Sequence, residues 1–180
     1  LASFWAIFGR INIEFHYLLL TLNLLIFLKF KDDIFSIYTT FINELKTLSK
    51  NLKYYLAIIT FCIIAQCSSI PYVIDNESYY IQTIKWLNEY GLVKGLVNLH
   101  FFLGQVSGWH ITQSALNFSF LYKNFNDLSG FCLLLGNIFA IQKLNTFFEN
   151  NDTKYLIVGL FPLFNLFLFQ FISAPSPDIP

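Results

Sequence analysis

Two carboxylates just beyond a long apolar run are the residues in this chain best placed to do chemistry. Asp75 and Glu77 lie in the stretch 74–80, whose sequence is IDNESYY, and they follow the apolar residues 54–70. An apolar run of this kind predicts a membrane helix. An acidic pair where such a helix emerges into water is suited to lipid-dependent chemistry at the membrane surface.

The same two residues also have a purely structural interpretation. Asp75 stands where it would cap the amino end of a following helix, and Glu77 would then lie in the first turn and favour the helix dipole. Capping and catalysis can coexist at one residue. The sequence therefore leaves both roles open.

The composition predicts a membrane protein. Hydrophobic residues make up 56% of the chain, charged residues only 12%, and 22 of the 180 residues are Phe. A soluble domain could not bury that much apolar surface. The net charge is zero, which gives no basic footprint for a nucleic acid. The absence of Met and the abrupt stop at Pro180 predict that the sequence is part of a longer protein.

The elements that must position the carboxylates are predicted to be membrane helices, since about 20 apolar residues cross a bilayer. The predicted fold is an all-α, polytopic transmembrane bundle. The predicted spans are approximately 11–30, 54–70, 108–122, 128–141 and 155–172. Lysines gather in a predicted loop over 31–53, which the positive-inside rule makes cytoplasmic. The protein is then a multi-pass protein of the inner (cytoplasmic) membrane, with residues 71–108 on the extracytoplasmic side.

The external segment is predicted to hold an amphipathic helix. Tyr80, Ile84 and Leu87 recur at helical spacing and form an apolar stripe, with polar residues between them. The pattern predicts a helix lying on the membrane surface, ended by Gly91.

Asp75, Tyr79 and Tyr80 form the motif D-x-x-x-Y-[HY], which lies between a predicted outward helix and a predicted surface helix. This arrangement resembles the amino-terminal module of GT-C-type glycosyltransferases. Four short stretches narrow the resemblance to a bacterial multi-spanning family related to that superfamily. They are 82–86 (QTIKW), 95–100 (GLVNLH), 107–109 (SGW) and 173–178 (SAPSPD).

The resemblance implies transfer of a sugar from a polyprenyl-phosphate donor to a glycan or lipid acceptor hydroxyl. Such a reaction needs a carboxylate to accept the hydroxyl proton, or to hold a divalent ion such as Mg²⁺ or Mn²⁺ against the donor phosphate. Asp75 is the first candidate for this role, and Glu77 is the second.

Ten further residues are candidate substrate-binding residues. They are Tyr79, Tyr80, Gln82, Lys85, Lys94, Asn98, His100, Trp109, His110 and Asp178. Each also has a structural interpretation, as a solvated lysine, a hydrogen-bonded histidine or a helix-joining amide. The side of the membrane on which 173–180 lies depends on whether one of the weaker spans is re-entrant.

Two other function classes remain open. Polar residues within the apolar segments, such as Gln66 and Gln113, would also suit the substrate path of a transporter, flippase or polysaccharide-export component. A non-catalytic membrane scaffold is the third class.

Overall fold

The computed structural model describes residues 1–69, 74–121, 128–168 and 174–176. Every regular element in these ranges is helical, which confirms the all-α prediction. The α-helices are α1 (Ala2–Phe8), α2 (Ile13–Thr47), α3 (Lys50–Cys67), α4 (Ile81–Tyr90), α5 (Gly108–Leu116), α6 (Leu128–Asn150), α7 (Thr153–Gly159) and α8 (Asn165–Leu168). A π-helical turn, Asn76–Tyr80, precedes α4, and short 3-10 turns occupy Leu96–Asn98, Phe101–Gly104 and Phe161–Phe164.

Helix α2 is longer than the predicted first span. Asn12 caps its amino end, because the Asn12 side chain accepts a hydrogen bond from the backbone N–H of Ile13 at 2.8 Å. Phe30, the predicted end of the span, has non-helical dihedral angles and marks a kink. The helix then continues to Thr47, so the predicted loop over 31–53 is wrong. Residues 31–47 contain neither Gly nor Pro, so nothing in them terminates a helix.

Helices α3 and α6 pack against each other in an antiparallel arrangement. The backbone N–H of Ser49, just before α3, donates to Asn145 Oδ1 near the end of α6 at 3.1 Å. Ile63, late in α3, shares a hydrophobic cluster with Leu133, early in α6. The two helices therefore run in opposite directions along one apolar interface.

The chain after α6 turns back along that helix. A carbon atom added to Gly159 would lie 2.9 Å from Leu144, and one added to Gly136 would lie 3.0 Å from Phe161. Further along, the Ser129 hydroxyl donates to the Ala174 carbonyl at 2.8 Å. These contacts pair later residues of the return segment with earlier residues of α6. Ala174 consequently lies at the amino end of α6.

A second cluster joins α1, α4, α5 and the start of α2. Its buried members are Ala6, Ile11, Phe15, Leu87, Ile111 and Ala115. The junction between α1 and α2 is tied to the end of α4, since the N–H of Ile11 donates to the Leu87 carbonyl and the N–H of Leu92 donates to the Ala6 carbonyl. Helix α2 thus leads from this cluster to the α3–α6 interface.

Two of the described helices, α2 and α6, are long and apolar enough to cross a membrane. Only 11% of the apolar window of α2 and 22% of that of α6 is buried within the protein, so most of their apolar side chains face outward. Helix α3 has 18 residues but begins with Lys50, Asn51 and Lys53, which shortens its apolar part. Its predicted end at Ile70 lies outside the described residues.

The other two predicted spans differ from the observed helices. In 108–122, α5 has nine residues, about 14 Å at helical rise, which is too short to cross the hydrocarbon core; Tyr122 lies outside the described residues. In 155–172, the helix ends at Gly159 and a 3-10 turn containing Pro162 follows, so the segment is broken rather than merely kinked. Residues 169–172 lie outside the described ranges. Helix α6 contains the predicted span 128–141 and extends nine residues beyond it.

Candidate functional site

Asp75 lies at the start of the π-helical turn, and its carboxylate is exposed. It occupies the cap position, yet its side chain makes no capping hydrogen bond. Its backbone carbonyl accepts a hydrogen bond from the Ser78 hydroxyl at 3.1 Å. Among the described residues the one ion pair joins Arg10 and Glu14, so no described cation neutralises Asp75. The carboxylate is therefore available to an incoming group.

Glu77 is also exposed, and it lies two residues after Asp75 in the π-helical turn. Side chains two residues apart do not face each other on a helix. The part of the chain that the structure describes contains no group of three or more His, Cys, Asp or Glu side chains that could hold a metal ion. One or two carboxylates together with donor phosphates can hold Mg²⁺, so the metal role of Asp75 and Glu77 stays a prediction.

Rings connect four of the predicted site residues in a line beside Asp75. Tyr79 stacks on Phe102 with ring centroids 4.9 Å apart and an interplanar angle of 24°, and it lies 4.3 Å from the Tyr80 ring. The Tyr80 ring lies 5.5 Å from the His110 ring, and His100 lies 5.6 Å from Phe102. Phe102 links the two halves of this aromatic line and was not among the predicted site residues.

The two histidines of the aromatic line have different environments. His110 is buried, and its Nδ1 accepts from the Ser107 N–H at 3.2 Å while the Ser107 hydroxyl accepts from the His110 N–H. This capping box starts α5, so His110 has a structural role. His100 is exposed and precedes the 3-10 turn that holds Phe102.

The remaining described binding residues differ in their exposure. Lys85, Lys94 and Asn98 are exposed, and Gln82 and Trp109 are half-buried. Asp178 lies outside the described residues.

The apolar stripe of α4 faces protein rather than lipid. Tyr80, Ile84 and Leu87 are each at most 3% exposed, and α4 packs on α5. The sequence pattern predicted that this stripe contacts the membrane surface, and that prediction is therefore wrong. The pattern correctly indicates a helix with one buried face, but hydrophobic spacing alone does not distinguish a neighbouring helix from a bilayer. The predicted end at Gly91 is confirmed.

Asn88 is a structural residue that the sequence analysis did not identify. It is 2% exposed, and its Nδ2 donates to the Ile11 carbonyl at 2.8 Å and to the Ser114 hydroxyl at 2.9 Å. Its Oδ1 accepts from Asn117 Nδ2 at 3.3 Å. Nearby, His16 Nε2 lies 2.9 Å from the Ala115 carbonyl oxygen. These contacts fix α2, α4 and α5 to one another behind the aromatic line.

A polar cavity of about 390 Å³ lies at the other end of α6, where α2 ends. Its lining includes Glu44, Gln142, Asn145 and Glu149. Gln142 Nε2 donates to Glu44 at 3.2 Å, and Asn145 Nδ2 donates to Glu149 at 2.7 Å. Both carboxylates are therefore hydrogen-bonded by amides, unlike Asp75.

The fold defines an all-helical protein with two helices able to cross a membrane, and its exposed acid lies beside a row of aromatic rings. The chain belongs to the family described as Domain of unknown function (DUF8201), which matches residues 1–180. Neither a curated protein nor a solved structure matches this chain.

Proposed function

We propose that this chain is a membrane glycosyltransferase module of the GT-C type, which moves a sugar from a polyprenyl-phosphate donor to an acceptor hydroxyl on the extracytoplasmic face. The observation that carries the proposal is the exposed Asp75 carboxylate, which makes no capping bond and begins a π-helical turn. π-helical turns occur frequently at functional sites. In the proposed reaction Asp75 accepts the proton of the acceptor hydroxyl as that oxygen attacks the anomeric carbon of the sugar. The bond from this carbon to the donor phosphate oxygen breaks, and polyprenyl phosphate leaves.

The distribution of lysines supports this orientation. Lys46, Lys50 and Lys53 surround the α2–α3 turn, and Lys143 and Lys154 flank the α6–α7 turn. Both turns lie at the same end of the α3–α6 pair, because Ser49 contacts Asn145. The positive-inside rule makes this end cytoplasmic.

The proposed topology is polytopic in the inner membrane. Helices α2, α3 and α6 and the segment 153–168 cross the membrane, while α5 does not. Asp75 follows α3 at the outer end. Ala174, held by Ser129, is at the same end, so in this proposed topology Ala174 lies on the external side.

The aromatic line supports a binding role next to the base. The stacked rings of Tyr79 and Phe102 form a flat apolar surface, and aromatic side chains with a few placed polar groups are typical linings of ligand sites. Lys85 and Lys94 are exposed cations of the same external segment. They are the proposed partners of the donor phosphate.

The polar cavity at the lysine-rich end favours a second candidate, a flippase or transporter of lipid-linked substrates. The two candidates differ in their chemistry. Glycosyl transfer breaks the bond between the sugar and the carrier phosphate, whereas a flippase moves the donor intact. The full chain in proteoliposomes is given a polyprenyl-phosphate-linked hexose with a labelled sugar and a lipid or glycan acceptor. Label appearing in the acceptor supports glycosyl transfer. Movement of the intact donor between leaflets, with no label released from the carrier, contradicts it and favours the flippase.

A further inference from the structure

A row of polar side chains lies between two parts of the chain: α5 on one side, and α4 with the π-helical turn that precedes it on the other. We call this row the α4–α5 seam. One side carries Asn76, Tyr80, Thr83 and Asn88, and the other carries His110, Gln113, Ser114 and Asn117. The Asn88 end of the seam is fully hydrogen-bonded, through Ser114, Asn117 and the Ile11 carbonyl. At that end the polar groups serve the fold.

The other end of the seam is different. Asn76 is 1% exposed, yet neither its Oδ1 nor its Nδ2 has a hydrogen-bond partner among the described residues. The Thr83 hydroxyl and Gln113 Nε2 are likewise buried without a partner in the described part of the chain. Buried polar groups in proteins are nearly always satisfied, and leaving one unsatisfied is costly. Three such groups in one seam offer hydrogen-bonding atoms to a ligand.

The three side chains lie around one contact. The Tyr80 ring lies 5.5 Å from the His110 ring, where α4 and α5 meet. Asn76 precedes Tyr80 by one helical turn, Thr83 follows it by one turn, and Gln113 follows His110 by one turn. Residues three and four apart on a helix share a face, so the three side chains lie on the faces that carry Tyr80 and His110, with Asn76 on one side of this contact and Thr83 and Gln113 on the other.

The chemistry of these groups restricts the ligand. Two amides and a hydroxyl offer both donors and acceptors, and none of the three carries a charge. A phosphate or carboxylate would call for Arg, Lys or a ring of N–H donors. Sugar hydroxyls, which donate and accept, fit the set.

We infer that Asn76, Thr83 and Gln113 bind the hydroxyl groups of a neutral glycoside. The inference rests on the proposed function and refines it, because Asn76 is the chain neighbour of Asp75.

Thermal unfolding of the full chain in detergent tests this inference, with a panel of methyl glycosides as the probes and inorganic phosphate as the anionic control. At least one glycoside is expected to raise the Tm of the wild-type protein. Asn76→Leu and Thr83→Val should lose that shift. Their Tm without glycoside should be equal to or higher than that of the wild type, because each replaces a polar group that has no described partner.

Thr112→Val is the matched control. Its hydroxyl is exposed and donates to the Gly108 carbonyl, so the glycoside shift should be retained.

The inference is overturned if no glycoside stabilises the wild type, if phosphate gives the same shift, or if both seam variants keep the shift. A lower Tm of Asn76→Leu with the shift intact also overturns it, since the amide would then serve only the fold. If Asn76→Leu does not fold, Thr83→Val decides alone. Asp75→Asn should keep the glycoside shift and lose transfer. A wild-type protein that shows the shift but transfers no sugar contradicts the proposed function and leaves the inference standing.

Discussion

Asn137 in α6 and Asn165 at the start of α8 hold each other through two reciprocal amide hydrogen bonds. Asn137 Nδ2 donates to Asn165 Oδ1 at 3.1 Å, and Asn165 Nδ2 donates to Asn137 Oδ1 at 2.8 Å. Asn137 is fully buried and also donates to the Leu133 carbonyl at 2.8 Å. Between membrane helices such amides act as specific links, because an amide without a partner in an apolar environment is costly. The pair fixes the return segment onto α6.

This pair predicts non-additive effects on stability. Asn137→Leu or Asn165→Leu alone should lower the free energy of unfolding by about 1–3 kcal/mol, since each leaves the partner amide buried and unsatisfied. The double variant should cost less than the sum of the two. Denaturant unfolding of all three variants in detergent is the measurement. Asn150→Leu, at the exposed end of α6, is the control, and additive single effects would contradict the pairing.

Gly91 is predicted to be irreplaceable where the α1–α2 junction meets α4. Its φ is 79° and its ψ is −150°, a region almost restricted to glycine, and an added Cβ would lie 2.5 Å from the Gly9 carbonyl oxygen. The backbone strain alone is expected to cost about 1–3 kcal/mol. Gly91→Ala should lower the free energy of unfolding by more than this, because the clash adds to the strain. Gly95 also has a positive φ, 88°, but its ψ of 3° lies in the left-handed αL region, and an added Cβ would meet no atom closer than 3.6 Å, so Gly95→Ala is the control for a positive φ without the clash. Equal unfolding free energies for the two variants would contradict the close approach.

Ile84 provides a test of where the apolar face of α4 packs. Ile84 is 0% exposed, so Ile84→Asp places an unpaired carboxylate between α4 and α5, at a cost of roughly several kcal/mol. We expect loss of the folded protein in a thermal-unfolding assay. Lys85→Asp, on the exposed face, should fold normally. Normal stability of Ile84→Asp would mean that this face does not pack against protein.

The sequence is informative about helix positions because local chemistry sets them. Gly91 ends α4 as predicted, and Asn12 and Asp152 cap the helices that follow them. The wrong prediction of a loop over 31–53 also comes from local chemistry. Clustered lysines indicate a membrane boundary, but they are good helix formers and do not end a helix.

Which residues meet across the chain is less predictable, since it depends on tertiary packing. The Asn137–Asn165 pair joins residues 28 positions apart, and no periodic pattern specifies it. Asn76 is a partial exception, because the stripe of Tyr80, Ile84 and Leu87, extended back by one turn, reaches it. That spacing was the available signal that Asn76 is buried while Asp75 is exposed.

The orientation in the membrane can be tested by thiol labelling. In a background without Cys62, Cys67 and Cys132, we expect Lys94→Cys to react with an impermeant reagent in intact cells. Lys50→Cys, in the lysine-rich end, should react only after the membrane is disrupted. Both lysines are exposed in the fold, so burial does not explain the difference. The reverse pattern would put Asp75 in the cytoplasm and contradict the proposed reaction.

The central claim, that Asp75 is the base for sugar transfer, is tested most directly by the transfer rate of Asp75→Asn. Asn caps helices about as well as Asp, and the Asp75 side chain makes no capping bond, so stability should be unchanged. An amide cannot accept the proton, so turnover from a polyprenyl-phosphate-linked sugar should fall by about 100-fold or more, within the range seen for general bases. Glu77→Gln, two residues away, should have a smaller effect. An Asp75→Asn protein that is as stable and as fast as the wild type would contradict the account.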